Sequence, residues 1–495
     1  MASHLRIALA PGDGIGPEIM HATLDLFRAA GVMDHVEFIP VDMGRAMFDR
    51  GSSRGMSDDA IRLVEDCGLL FKGPMETPKG GGGKSINVTA RKLWNAYANL
   101  RIFKTLPGVD TVYSRAGLHI DMCIVRENIE DTYGGVEHRL TNDVVLGKRI
   151  MSAPGCDEVH RFAFQTARRL GLKKVYCGHK ANIMKMTDGL FLDRFRAVAR
   201  DFPEMEAADV IVDALCMNLV VKPQQYGMIV LPNLQGDIVS DLCAGLVGGL
   251  GFAPSANIGR HISIFEAVHG TAPDIAGKGI ANPCSLILSG VMMLRHVGLL
   301  KQAATIENAL LASLEQGVHT GDFGDKRSPA LGTVPFVQAI IERLGTGPKS
   351  IPAAPVPEQA TPSFRHPHKP ASPHLIRTFK NLVTHVAGCD IYLDTALSPL
   401  ALAEEMQRAC ADTPFKLTLI SNRGTQVWPT GSVYTEMADY FRVRFELKDG
   451  VTPGSFGQSR AIALLDKIAE SHVVGSYELL RTYEGVKGYS LAQGQ

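Results

Sequence analysis

The chain has 495 residues, too many for one ordinary core and enough for roughly three domains of common size. Lys+Arg and Asp+Glu are equal at 51 each, so no global field draws it to nucleic acid or to an anionic membrane surface, and a small-molecule partner is expected. Nine cysteines stand singly with no C-x-x-C pair, which argues against a zinc or disulfide scaffold.

The N-terminal MASHLRIALAPGDG runs from a short apolar strand into a glycine turn, without the charged start and long apolar core of a signal peptide. No later run approaches the roughly eighteen uninterrupted apolar residues of a membrane span, so a cytoplasmic location is expected. PGDGIGPE follows a strand and opens a helix in the manner of a phosphate loop. Its Gly12, Gly14 and Gly16, however, are spaced G-x-G-x-G rather than G-x-G-x-x-G, and a structural turn explains them as well. Up to about residue 345, β-rich runs such as LRIALA, CIVREN, KKVYCG and YGMIVLP alternate with helical patterns such as EVHRFAFQTARRLG, which marks an α/β fold with helices packed on a sheet.

In ETPKGGGGKSINVTARKLWNAYANLR, four consecutive glycines precede Ser85, Asn87, Arg91 and Arg101. A glycine lip beside neutral donors and then cations suits a carboxylate-rich ligand; a solvated helix with surface arginines accounts for the same spacing. In CIVRENIEDTYGG, Arg126 ends an apolar strand and Tyr133 follows among acids, so an anion grip and a proton donor stand near each other, or simply a packed loop. Asp213 lies in the apolar ADVIVDALCM. Asp237 and Asp241 sit one turn apart in NLQGDIVSDL, on one helix face, where two hard oxygens suit Mg²⁺ or Mn²⁺. Helix capping by Asp237 and a solvated Asp241 fit that spacing too. FEAVHGTAPDIAGKGIANP combines His269 with two glycine turns that permit backbone approach to a ligand, and it is not a metal-binding histidine motif.

From 346 to 374, repeated prolines exclude helix interior and central strand, so the segment reads as a linker. Residues 375–495 read as a further α/β unit, with DIYLDT, FKLTLIS and FRVRFEL as strands and LALAEEMQRACAD and SRAIALLDKIAES as helices. This unit carries no chemical motif, and a role in assembly is expected of it.

Taken in order, PGDGIGPE, KSINVTARK, VRENIEDTYGG, HKANIMK, NLQGDIVSD and EAVHGTAPDIAGKGIANP resemble the β-decarboxylating dehydrogenases, the isocitrate/isopropylmalate dehydrogenase family. The C-terminal part, above all FKLTLISNRGTQVWP, resembles the extra domain of certain long bacterial isocitrate dehydrogenases. The resemblance implies large and small domains around a cleft, the large one from 1–97 and 248–345, the small one from 98–247 with a dimer clasp near 131–156. It also implies a homodimer or higher homo-oligomer with shared sites. Ser85, Asn87, Arg91, Arg101 and Arg126 fall on positions that hold substrate carboxylates, Tyr133 on the catalytic acid, Lys180 and Asn182 on positions donated by a second subunit, and Asp213, Asp237 and Asp241 on metal ligands. Lys180 with Asp213 would remove the hydroxyl proton. The cofactor side would be formed by Thr77, Glu266, His269, Gly270, Thr271, Ala272, Pro273, Asp274, Ile275 and Asn282.

Two choices within the family follow from chemistry. Ser85 and Asn87 would be left unpaired against an isopropyl group, so a tricarboxylate, isocitrate, is expected over 3-isopropylmalate; homoisocitrate and a catalytically silent regulatory subunit are the alternatives. Asp274 and Ile275 stand where NADP-dependent relatives carry a lysine and a tyrosine, and Ala281 where they carry a slightly larger aliphatic residue. An aspartate there accepts hydrogen bonds from free ribose hydroxyls and repels a 2′-phosphate, so NAD is expected.

Overall fold

The computed structural model describes residues 4–76, 85–356, 383–431 and 435–490. Thr77, the four glycines of the lip and most of the proline-rich linker therefore lie outside the described residues. The chain divides into two compact units, 1–134 with 150–371 and 135–149 with 372–495.

The first unit is built on one ten-stranded sheet in the order Val36–Pro40, Leu5–Ala10, Leu69–Lys72, Ser263–Ala267, Pro254–Ile258, Ala98–Lys104, Asp121–Glu127, Met228–Leu231, Lys174–His179, Glu206–Ile211. The outer strands run parallel, whereas Pro254–Ile258, Ala98–Lys104 and Asp121–Glu127 pair antiparallel at the centre. The short parallel strands Leu69–Lys72 and Met228–Leu231 are buried at every residue, as expected of strands covered by helices on both faces. Separate apolar clusters form on either side of that antiparallel centre. One gathers Phe27, Phe71, Phe265 and Leu310; the other gathers Phe164, Phe191, Phe195 and Val230. Two further apolar clusters, one around Val64 and Trp94 and one around Leu219 and Val239, complete the packing of this unit.

Local rules explain the helices. In Ala153–Arg169 the Ser152 hydroxyl accepts the Gly155 N–H at 3.2 Å, Pro154 occupies the first turn, and Arg168 and Arg169 close the negative end. The helix Asn233–Leu246 starts after Pro232 with no side-chain cap of its own. A distant carboxylate, Asp131, accepts the Leu234 N–H at 2.9 Å instead. Asp237 is therefore free of capping duty.

In the second unit, a six-stranded antiparallel sheet runs in the order Thr425–Trp428, Phe415–Asn422, Tyr440–Leu447, Thr384–Asp394, Val473–Tyr483, Val486–Lys487, with helices Pro399–Cys410 and Ser459–Ala469 supplying its apolar core. Asp390 and Arg444, both buried, form a two-pronged pair with 2.7 Å on each arm, so neither interior charge is left unmatched. Residues 135–149 join this unit through Lys148 on Glu478 at 2.6 Å and Thr141 on Asp439 at 2.7 Å. Val473–Tyr483 and the pair Asp131–Arg139 and Val145–Ile150 were not among the expected strands, because half-exposed polar residues interrupt their alternation.

Candidate active site

Arg101 and Arg126 stand on the adjacent antiparallel strands Ala98–Lys104 and Asp121–Glu127, and their side chains are nearly closed to solvent, at 6% and 1% exposure. Each is fixed before any ligand arrives. Arg126 donates to the Asn233 side-chain oxygen through Nε at 2.9 Å and through a terminal nitrogen at 2.7 Å, and also to Asp237. Arg101 donates to Asn99 at 2.9 Å, Ser240 at 2.7 Å, Asp241 at 3.1 Å and Asp237 at 3.3 Å. The Tyr133 hydroxyl donates to the second Asp237 oxygen at 2.5 Å, and the Arg126 guanidinium lies 4.8 Å from the centre of the Tyr133 ring.

The electrostatics follow from this packing. Burial alone would raise the Asp237 carboxyl, but Arg126, the Tyr133 hydroxyl, Arg101 and Arg91 outweigh it and hold the pKa below the usual value. Asp241 goes the other way: burial, aided by the neighbouring Asp237, outweighs Arg101 and raises it. Burial and then the bond to Asp237 raise Tyr133, which keeps its phenol protonated, as a proton donor requires.

The loop entering Tyr133 depends on a buried carboxyl. Glu127 accepts the N–H groups of Ile129 at 2.8 Å and Glu130 at 3.1 Å, and burial still pushes its pKa up to about 7. The folded value lies above the unfolded one, so between the ordinary glutamate value of 4.5 and about 7 the native chain retains a proton the unfolded chain has lost. This group's contribution to stability is therefore greatest at the acid end and declines as pH rises through that window. Melting series should show a decline that Glu127→Gln flattens by about 3 kcal/mol, and an unchanged pH slope in that variant would refute the assignment.

Ser85 precedes the helix Ile86–Leu93, on which Asn87 and Arg91 are half-buried. Arg91 donates to Glu266 at 3.0 Å, and Glu266 also binds Lys72 at 2.5 Å and accepts from Asn257 at 2.7 Å. Burial would raise the Glu266 carboxyl, but Lys72 and Arg91 pull it far below the ordinary range. Glu266 thus anchors Arg91. The Asn87 side-chain oxygen and the Arg91 Nε are buried with no partner, a condition that a polar ligand would relieve.

Lys180 follows the strand Lys174–His179, and its ammonium is bonded to Asp213, the second residue of the helix Val212–Val221. That bond lowers the Asp213 pKa. Asn182 is exposed in the same turn. The structure does not bring Asp213 to Asp237 and Asp241. Among the described residues, no three His, Cys, Asp or Glu side chains come together to hold an ion. Two carboxylates one turn apart still fit a hard divalent cation by their oxygen chemistry, with the third expected ligand held apart by its own lysine.

The segment from His269 to Ile275 packs on the N-terminal glycine turn. The Thr271 carbonyl accepts the Ile15 N–H at 2.9 Å, and Gly14, at φ +59, lies so close that an added Cβ would meet that carbonyl at 2.0 Å. This is the reason for glycine there. Gly270 is exposed, Ala272 takes the left-handed conformation at φ 39, and Pro273–Ile275 form a 3-10 turn. His269 hydrogen-bonds the Gly270 carbonyl through Nδ1 at 3.0 Å, whereas its Nε2 is buried without a partner. Asn282 bridges Asp322 at 3.0 Å and the Cys284 N–H at 2.9 Å. Supporting residues that spacing does not single out include Asn233, Ser240, Lys72, Asn99 and Asn257. Asn233 stands one turn before Asp237, a spacing that was legible; the others act across elements and leave no local signal.

Comparison with known proteins accords with this geometry. A family described as isocitrate/isopropylmalate dehydrogenase matches residues 6–340, and one described as the C-terminal domain of bacterial isocitrate dehydrogenase matches residues 384–495. The chain is 41% identical over 491 residues to a Thermus thermophilus protein named isocitrate dehydrogenase [NADP], covering 99% of this chain and 96% of that one. It is 36% identical over 499 residues to a Rickettsia felis protein of the same name, covering 100% of both. A crystal structure of a Thermus thermophilus protein superposes with a TM-score of 0.89 at 40% identity, over 99% of this chain and 96% of the other. These names correct the expectation of NAD: relatives spanning the whole chain are named for NADP. Asp274 lies exposed on its turn, where water and salt weaken the repulsion a single carboxylate exerts on a phosphate.

Proposed function

We propose that this chain, which belongs to the isocitrate/isopropylmalate dehydrogenase family, oxidises and decarboxylates isocitrate to 2-oxoglutarate with reduction of NADP. The observation that carries the reading is the convergence of Arg101, Arg126 and Tyr133 on Asp237, beside a helix whose Asn87 and Arg91 offer unmatched polar atoms. Three arginines suit three carboxylates, and an isopropyl group would leave those polar atoms buried and unsatisfied. NADP is supported by the names of the relatives that match along the whole chain.

Asp237 and Asp241 would hold a divalent ion, which when bound would supply Lewis-acid stabilisation, and the nicotinamide cofactor would supply the oxidising power. Arg91, Arg101 and Arg126 orient the carboxylates. The hydroxyl proton leaves through the Lys180–Asp213 pair, and after loss of CO₂ the Tyr133 hydroxyl protonates the enol carbon. The separation of Lys180 and Asp213 from Asp237 supports a site completed by a second copy. So do exposed apolar residues on two neighbouring helices: Met217 and Val221 at 59% and 60%, and Ile238 at 60%. The presence of Tyr133, Lys180 and all three aspartates favours an active enzyme over a silent subunit.

The purified chain with Mn²⁺ should show a kcat/KM for isocitrate far above that for 3-isopropylmalate or homoisocitrate, and for NADP above NAD. A preference for isopropylmalate would overturn the substrate assignment, and a preference for NAD the cofactor assignment.

A further inference from the structure

The main chain at Tyr133 is held from two sides. On one side, Asp131, buried at 0% exposure with φ +67, accepts the Thr132 N–H at 2.8 Å and the Leu234 N–H at 2.9 Å. Asn233 adds a bond to the Glu130 carbonyl at 3.3 Å. These contacts tie the loop to the start of the helix that carries Asp237 and Asp241. On the other side, Lys92 donates to the carbonyl oxygens of Tyr133 at 2.6 Å and Gly134 at 3.3 Å. Lys92 lies in the last turn of Ile86–Leu93, directly after Arg91, on the helix that presents Asn87 and follows Ser85.

We infer that Lys92 is a positioning residue that sets the Tyr133 hydroxyl relative to the substrate-binding helix, so that capture of a carboxylate by that helix and delivery of the proton occur in one geometry. Its ammonium donates to the main-chain oxygens of Tyr133 and Gly134, so it acts through the placement of Tyr133. A charge-assisted pair of bonds to carbonyls suits this task, because such bonds are directional and stronger than neutral ones. A displacement of about 1 Å in a reacting group lowers turnover by about a hundredfold. The inference rests on the reading of Tyr133 as proton donor.

A double-mutant cycle tests it. Lys92→Met should lower kcat about tenfold or more with the isocitrate KM little changed, and Lys92→Arg, which can still donate to both carbonyls, should recover most of the loss. In a Tyr133→Phe background the same Lys92→Met change should have almost no further effect on kcat. Equal losses in both backgrounds, or a raised KM with kcat intact, would overturn the role of Lys92 while leaving Tyr133 as donor. Full turnover by Tyr133→Phe alone would overturn both readings. Should Lys92→Met fail to fold, Lys92→Gln, which keeps one donor group, goes through the same cycle with the same criteria.

Discussion

Lys180→Met and Asp237→Asn chains should each be nearly inactive when purified alone, yet regain activity when the two are co-expressed. In one chain Lys180 is bonded to Asp213, whereas Asp237 is engaged with Arg126, Arg101 and Tyr133, and no three ligating side chains gather among the described residues. If each site takes Asp237 from one copy and Lys180 from the other, a hybrid dimer holds one site with both groups intact and one with neither. Random pairing makes about half the dimers hybrid, so about a quarter of wild-type turnover returns. Each single variant should lose about a hundredfold to ten-thousandfold in kcat. Absence of recovery, with hybrids demonstrated by a tag on one chain, would place the complete site within a single copy.

Tyr133→Phe is expected to lower kcat by a similar factor of about a hundred to ten thousand while isocitrate still binds. The phenol is held protonated by burial and by its bond to Asp237, and the Arg126 guanidinium sits over its ring, so its placement does not depend on the hydroxyl alone. Steady-state kinetics separate the outcomes. A fall in kcat with little change in KM agrees with a donor acting in the chemical step; a large rise in KM with kcat preserved would reduce Tyr133 to a binding contact.

The expected helix beginning at NLQGDIVSD is present as Asn233–Leu246, because apolar periodicity and a carboxylate pair one turn apart are local properties. The same holds for the α/β alternation of the first unit and for three strands and two helices of the second. The pairing of side chains was less legible. Spacing leaves capping and metal ligation both open for Asp237; that Asp131, far away in the chain, accepts the Leu234 N–H at the start of that helix is visible only in the fold. The engagement of Glu266 by Lys72, Arg91 and Asn257 joins residues far apart in the chain and leaves no trace in local spacing. Asp274 was made to decide a cofactor that relatives along the whole chain contradict.

By itself, the sequence determined which chemical groups are present and their order: arginines, a tyrosine, paired aspartates one helical turn apart, and glycines where the backbone must turn. Their mutual arrangement was decided by tertiary structure alone. Lys92 and Tyr133 are 41 positions apart, Tyr133 and Asp237 104, and Arg126 and Asp237 111. Helical and strand periodicities report only which residues share a face of one element. Contacts at those separations arise when the sheet sets its strands side by side and the helices pack across it.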